Sequence, residues 1–379
     1  MQVGGVRGRL RRILEADTTR ELNAAGAGER ARDPYLDLLR AIAIVMVVVY
    51  HVVLNSPEPV PRLAAVTQFG RYGVDLFFVL SGWLIGGLYW RELRRFGNVE
   101  LRSFLPRRWI RTVPPYFAGL ALAWLARPEI WSRRIDLTYF CFLQNYRAVI
   151  SLFQVSWSLC IEEHFYFFLP LLVWFFGRMR IAAHWLFAGL LIVAPVCRWL
   201  ASRHGLAEEF GYVYTATHLR MEGLILGFWA AYIPAMAKER WPAMKRWCGW
   251  LLVPALLALT VLPFLSEMMM YRVGLTVMAL ALMVILVFLA ERRTVWIAQS
   301  GAIKWVALTS YSVYLTHAVI LHFATGMMKR ADFLPDAAFF PLALVLVGVG
   351  GWVFYWGVER TSLQVRDRWF PRRTERGTI

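Results

Sequence analysis

The chain has 379 residues, 59% of them hydrophobic and only 18% charged, with a formal net charge of +17. Such apolarity excludes a disordered chain and points to a multi-span membrane protein. The long unbroken apolar runs, which lack residue-by-residue alternation, exclude a transmembrane β-barrel, and basic residues set between them fit membrane topology better than nucleic-acid binding.

Residues 1–34 form a polar, Arg-rich tail without the apolar centre of a signal peptide. Its stretch from Val6 to Leu14 reads equally as a short basic surface helix or as disordered tail. Ten apolar stretches follow, near 36–54, 73–90, 112–126, 162–177, 185–201, 218–234, 249–265, 271–290, 305–325 and 339–358. They predict an all-α, polytopic membrane helix bundle of about ten transmembrane helices, occupying residues 35–360 as one domain. Pro114 and Pro115 begin the third stretch, and Glu222 interrupts the sixth. Residues 361–379 close the chain as a second basic tail.

Basic residues orient the bundle. Arg91, Arg94, Arg95, Arg102 and Arg107 lie between the second and third stretches, and Lys238, Arg240, Lys245 and Arg246 between the sixth and seventh. The opposing loops hold far fewer, so both termini are expected on the cytoplasmic side of a plasma (inner) membrane. The one sizeable external segment, about Arg127–Ile161, is aromatic and expected to pack over the bundle or re-enter it. No internal repeat or two-half symmetry suggests a repeat-built transporter. Cys141, Cys160, Cys197 and Cys248 are scattered, with no pair at metal-ligand spacing and no disulfide framework; no metal site and no bound cofactor are expected.

The first apolar stretch carries Arg40 and, eleven residues on, His51. Eleven helical steps return to within roughly 20° of one face and rise about 16 Å, so both lie on one stripe at different depths. Ionisable groups at membrane depth face protein or water. His51 is therefore a candidate proton handler, or else a structural histidine bonded to a nearby carbonyl. Topology places Asp75, Glu162 and His317 at a depth where they could meet His51, and a carboxylate beside an imidazole suits general-base work. The alternative is an ion-pair lattice that only orients helices, and Asp75 also reads as an ordinary helix cap. Arg108 and Arg111, three apart on a helix face at the cytoplasmic boundary, could clamp a phosphate, although such arginines are also common topology anchors.

These segments together resemble the acyltransferase-3 family of integral membrane acyltransferases, which includes polysaccharide O-acetylases. The resemblance runs from Tyr35 to Arg360 and rests on Arg40 and His51, on Asp75-Leu-Phe-Phe-Val-Leu-Ser-Gly82, and on Arg108-x-x-Arg111. Trp157-Ser-Leu-x-x-Glu-Glu-x-Phe-Tyr166, Ser310-Tyr-Ser-Val-Tyr-Leu-x-His317 and the closing Glu359-Arg360 extend it. Cys160, His164 and Glu222 stand where the family more often has Ser, Gln and Asp.

The resemblance implies transfer of an acyl group from acyl-CoA, most often acetyl-CoA, to a hydroxyl of a glycan or other small acceptor. It gives His51 the base role, assisted by Glu162 and supported by Arg40, with Arg108 and Arg111 on the donor. Asp75, Ser81 and His317 would support the site, and Arg40, Ser81 or a backbone amide could serve the oxyanion. Direct transfer is preferred to an acyl-His51 relay. The rival reading is a proton-coupled exporter of a glycan or lipid built on the same buried His and carboxylate groups.

Overall fold

A computed structural model describes residues 33–56, 68–130, 135–147, 149–178, 183–203, 210–291, 296–330 and 338–371. The stretch from Val6 to Leu14 lies outside them. No strand occurs among the described residues.

Among the described residues, twelve helices carry the architecture: α1 (Pro34–Leu54), α2 (Tyr72–Phe96), α3 (Leu101–Leu125), α4 (Trp157–Arg178), α5 (Ala183–Arg203), α6 (Glu222–Ala230), α7 (Trp241–Trp250), α8 (Leu252–Val261), α9 (Leu275–Leu289), α10 (Gly301–Arg330), α11 (Phe339–Phe354) and α12 (Arg360–Trp369). Each of the ten apolar stretches is helical. Among the described residues, seven helical segments are long and apolar enough to cross a bilayer, and α7 with α8, bent by 47° at their junction, would make an eighth. The other two stretches fall short for reasons visible in their sequences. α3 carries arginines through its first half, and α6 with the short helix Tyr232–Met236 makes only a shorter apolar element, Glu222–Met236.

Three boundaries differ from the sequence reading. α3 does not begin at Pro114 and Pro115 but runs through them from Leu101. Membrane helices tolerate such prolines because neighbouring groups satisfy the freed carbonyls. Arg108 and Arg111 thereby sit on a continuous helix. α4 begins at Trp157, five residues before the expected start, which sets Glu162 about 7.5 Å inside the helix. The first part of the expected C-terminal tail is α12, fastened to α3 by Arg107, which bonds the Phe370 carbonyl and lies 3.1 Å from Asp367.

α2 and α6 cross at backbone contact. A Cβ on Gly82 would lie 2.1 Å from the Leu224 carbonyl oxygen, and one on Gly227 would lie 2.1 Å from the Val79 oxygen, so each helix needs a glycine facing the other. The segment between α3 and α4 turns repeatedly and seats Tyr139, Leu152, Phe153 and Val155 in the core, packing against the bundle as expected. Asp136 anchors it by capping Thr138 and pairing with Arg147; these bonds hold its carboxyl below the usual range, the Thr138 backbone amide contributing most. Among the described residues, two widened, five-residue π turns occur, Met270–Gly274 ahead of α9 and Tyr355–Glu359 between α11 and α12.

Candidate functional site

α1 begins with Asp33 capping Tyr35 and Pro34 in its first turn, which fixes where its polar stripe starts. One turn in, Arg40 donates to Asp37 at 3.2 Å, and Asp37 is buried. Arg40 lines a cavity of about 100 Å³ enclosed by α1, α2, α3, α4 and α10. Arg108, Arg111, Ser81, Glu162 and Tyr166 line it too. Three guanidiniums and one carboxylate thus share one small cavity. α3 supplies two of them because a spacing of three returns to the same helix face.

Glu162 accepts the Tyr166 hydroxyl at 2.6 Å, one turn along its own helix, and Ser81 lies within hydrogen-bonding reach of both. The adjacent Glu163 points aside, 2.5 Å from the Thr112 hydroxyl, and His164 is 2.7 Å from that of Thr217. α10 adds Tyr311, which donates to the Thr112 carbonyl at 2.8 Å, and Tyr314, which lies 2.6 Å from the Ser158 hydroxyl and donates to the Val155 carbonyl. Glu359, delivered by the second π turn, accepts from Ser312 at 2.5 Å and lies in the field of Arg111 and Arg40.

His51 sits at the other end of α1. Its Nδ1 is 2.8 Å from the Val47 carbonyl one turn back, so Nδ1 carries the proton and Nε2 keeps the lone pair in the neutral ring. The His317 ring lies 4.8 Å from it, crossed at 66°. His317 is fully buried, its Nδ1 2.7 Å from the Tyr314 carbonyl, and its Nε2 has no partner. Tyr314, a wall of the arginine cavity, lies 5.6 Å from the His317 ring, so tyrosine and imidazoles run in series from the cavity to His51.

The four residues expected at one depth therefore separate. His51 and His317 meet. Asp75 instead forms a buried ion pair with Arg220 at 3.0 Å, beneath Tyr214 and Trp157. Glu162 joins the arginines and its own Tyr166 and is not hydrogen-bonded to His51, because the early start of α4 carries it deeper than the sequence reading assumed.

The reading also passed over several partners. Tyr166 was legible, being four residues from Glu162 on one face. Arg198, bonded to Glu222 at 2.5 Å, to Thr276 and to the Leu219 carbonyl, left no local signal because every partner is distant in sequence. Among the described residues no three His, Cys, Asp or Glu side chains cluster as a metal ion would require.

Comparison with known proteins follows this geometry. The family matched is the acyltransferase domain family designated acyltransferase-3, over residues 33–356. Relatives in Staphylococcus aureus strains COL and MSSA476, named as inferred O-acetyltransferases, are each 28% identical over 346 residues, covering 83% of this chain and 55% of their own. O-acetyltransferase OatA of strain NCTC 8325 is 29% identical over 218 residues, covering 53% of this chain and 34% of its own. The chain thus spans about half or less of the length of the curated relatives it matches. No solved structure matches it.

Proposed function

The chain belongs to the acyltransferase domain family, and from that premise we propose that it is a membrane-bound O-acyltransferase. It moves an acyl group, acetyl by preference, from acyl-CoA to a hydroxyl of a glycan or small-molecule acceptor. The observation that carries this reading is the layout of α1, which holds Arg40 in an arginine-lined cavity and an imidazole with a free Nε2 lone pair eleven residues on.

Arg108 and Arg111, with Arg40, hold the donor's phosphates through charge-assisted hydrogen bonds. Glu162 balances these guanidiniums while the site is empty, and Tyr166 and Ser81 keep its carboxylate in place. The pantetheine arm carries the thioester along α1, past Tyr314, over a distance on the order of 16 Å.

At His51, Nε2 takes the proton of the acceptor hydroxyl as its oxygen attacks the thioester carbonyl. A C–O bond forms, the C–S bond breaks, and the proton passes from the imidazolium to the departing thiolate. His317, whose ring lies beside it with an unpartnered Nε2, steadies that imidazolium. It takes the positioning role that the sequence reading gave to Glu162. Both termini and the arginine cavity face the cytoplasm in this scheme, and the imidazole pair lies toward the other side.

The test is acceptor-dependent release of CoA thiol from acetyl-CoA by the purified full chain. Release that fails in His51→Ala supports the scheme. Absence of release, with proton-coupled flux of a glycan in vesicles, would overturn it in favour of an exporter.

A further inference from the structure

A second cavity, about 250 Å³ and larger than the arginine cavity, opens beside the helical segment that leads into α9. It lies between the turn Gln68–Arg71 that precedes α2, the turn Leu262–Phe264 that follows α8, and the π turn Met270–Gly274. Its lining has a polarity gradient. Gln68, Arg71 and Glu267 are exposed and polar, Tyr271 follows along the helix, and Leu275 and Met278 beyond it are only 2% and 1% exposed.

The gradient has the depth of one leaflet. Glu267 is the first residue of the apolar segment Glu267–Leu289, which is long enough to cross a bilayer, and Met278 lies eleven residues further in. Eleven helical steps rise on the order of 16 Å, half of a hydrocarbon core of roughly 30 Å. The adjoining surface is apolar and open: Phe264 is 86% exposed, and Val261, Met269 and Val273 are exposed as well. Arg71 is held at the rim by Tyr50, whose hydroxyl accepts from its Nε at 3.3 Å, and a guanidinium with five N–H donors can grip an anion besides.

We propose that this cavity seats one phospholipid with a zwitterionic, ammonium-bearing headgroup, in the leaflet opposite the arginine cavity. Its phosphate meets Arg71, its ammonium meets Glu267, and the upper part of one acyl chain lies along Tyr271, Leu275 and Met278. The two rim charges cancel, so the headgroup that matches them carries both signs. An anionic headgroup without an amine would set its phosphate against Glu267 and leave that carboxylate unanswered. The apolar inner end takes hydrocarbon and asks for no hydrogen bond. The volume is below the roughly 300–1,000 Å³ of pockets that enclose whole drug-sized ligands, which suits part of a lipid whose remainder stays in the bilayer. This site is independent of acyl transfer and holds whether or not the chain performs it.

The test is native mass spectrometry of the full chain in detergent, with dipalmitoylphosphatidylethanolamine, dipalmitoylphosphatidylglycerol and dipalmitoylglycerol titrated in turn. Phosphatidylethanolamine should bind as a single adduct, roughly tenfold or more tightly than the other two. E267Q and R71Q should each weaken that adduct about fivefold or more, and E267Q should leave phosphatidylglycerol bound no more weakly than before. Thermal unfolding checks the fold of each variant, and should one unfold, the wild-type ranking of the three lipids still decides. The proposal is overturned if phosphatidylglycerol or the uncharged diglyceride binds as well as phosphatidylethanolamine. It is overturned equally if correctly folded variants keep the wild-type affinity.

Discussion

The rings of His51 and His317 lie 4.8 Å apart, and each has its Nδ1 against a backbone carbonyl of its own helix, Val47 in one case and Tyr314 in the other. Both neutral rings therefore keep the lone pair on Nε2. His317→Ala should lower kcat about 10- to 100-fold while leaving the acetyl-CoA KM within twofold, and His317→Gln should recover part of the loss. A parallel rise in KM, or equal loss in both variants, would show that His317 merely fills space.

Arg108 and Arg111 differ from topology anchors in what they should recognise. Each charge-assisted bond to phosphate contributes about 1.5–3 kcal/mol, so R108Q and R111Q should each raise the KM for acetyl-CoA by roughly tenfold or more. Acetyl-pantetheine, which lacks the phosphates, should be used equally by wild type and variants. If it suffers the same loss, the arginines act on something else.

Glu162 sits among three guanidiniums with Tyr166 bonded to it. E162Q leaves those cations uncompensated until donor phosphates arrive. Its melting temperature should fall without CoA, and saturating CoA should raise it by more than it raises the wild type. A smaller or equal CoA shift would argue that the carboxylate does not face the donor.

The Asp75–Arg220 pair is buried on both sides, 6% and 1% exposed. D75N strands the guanidinium and should cost about 3–5 kcal/mol, seen as lost yield or a lower melting temperature. The double variant D75L/R220M should recover most of that stability and retain transfer. Inactivity of a stable double variant would return Asp75 to the reaction.

Gly82 faces the Leu224 backbone, whereas Gly177 near the end of α4 has open space where a Cβ would go. G82A should destabilise by about 1–3 kcal/mol and G177A by almost nothing, measured by thermal unfolding in one detergent.

Much of this was readable from residues alone. The helical bundle followed from apolar run length, and the shared face of Arg108 and Arg111 from their helical spacing. Tyr166 could have been read as the partner of Glu162. What sequence could not supply was helix phase across breaks. A start of α4 at Trp157 instead of residue 162 moved Glu162 from the imidazole to the arginines. The partners of Asp75, Arg198 and Glu359 are set by helix crossings between segments far apart in the chain, which leave no local pattern.

The two widened turns carry a further consequence. A five-residue turn holds one residue more than a regular turn, so its side chains point where a regular helix would not aim them. Met270 and Tyr271 in one such turn line a cavity of about 250 Å³, and Glu359 in the other accepts from Ser312 within the field of Arg111 and Arg40. Removing one residue from either would restore regular hydrogen bonding while swinging those side chains off target. Local regularity and the aim of those side chains are therefore opposed at both places, and selection for heat resistance alone should favour single-residue deletions there.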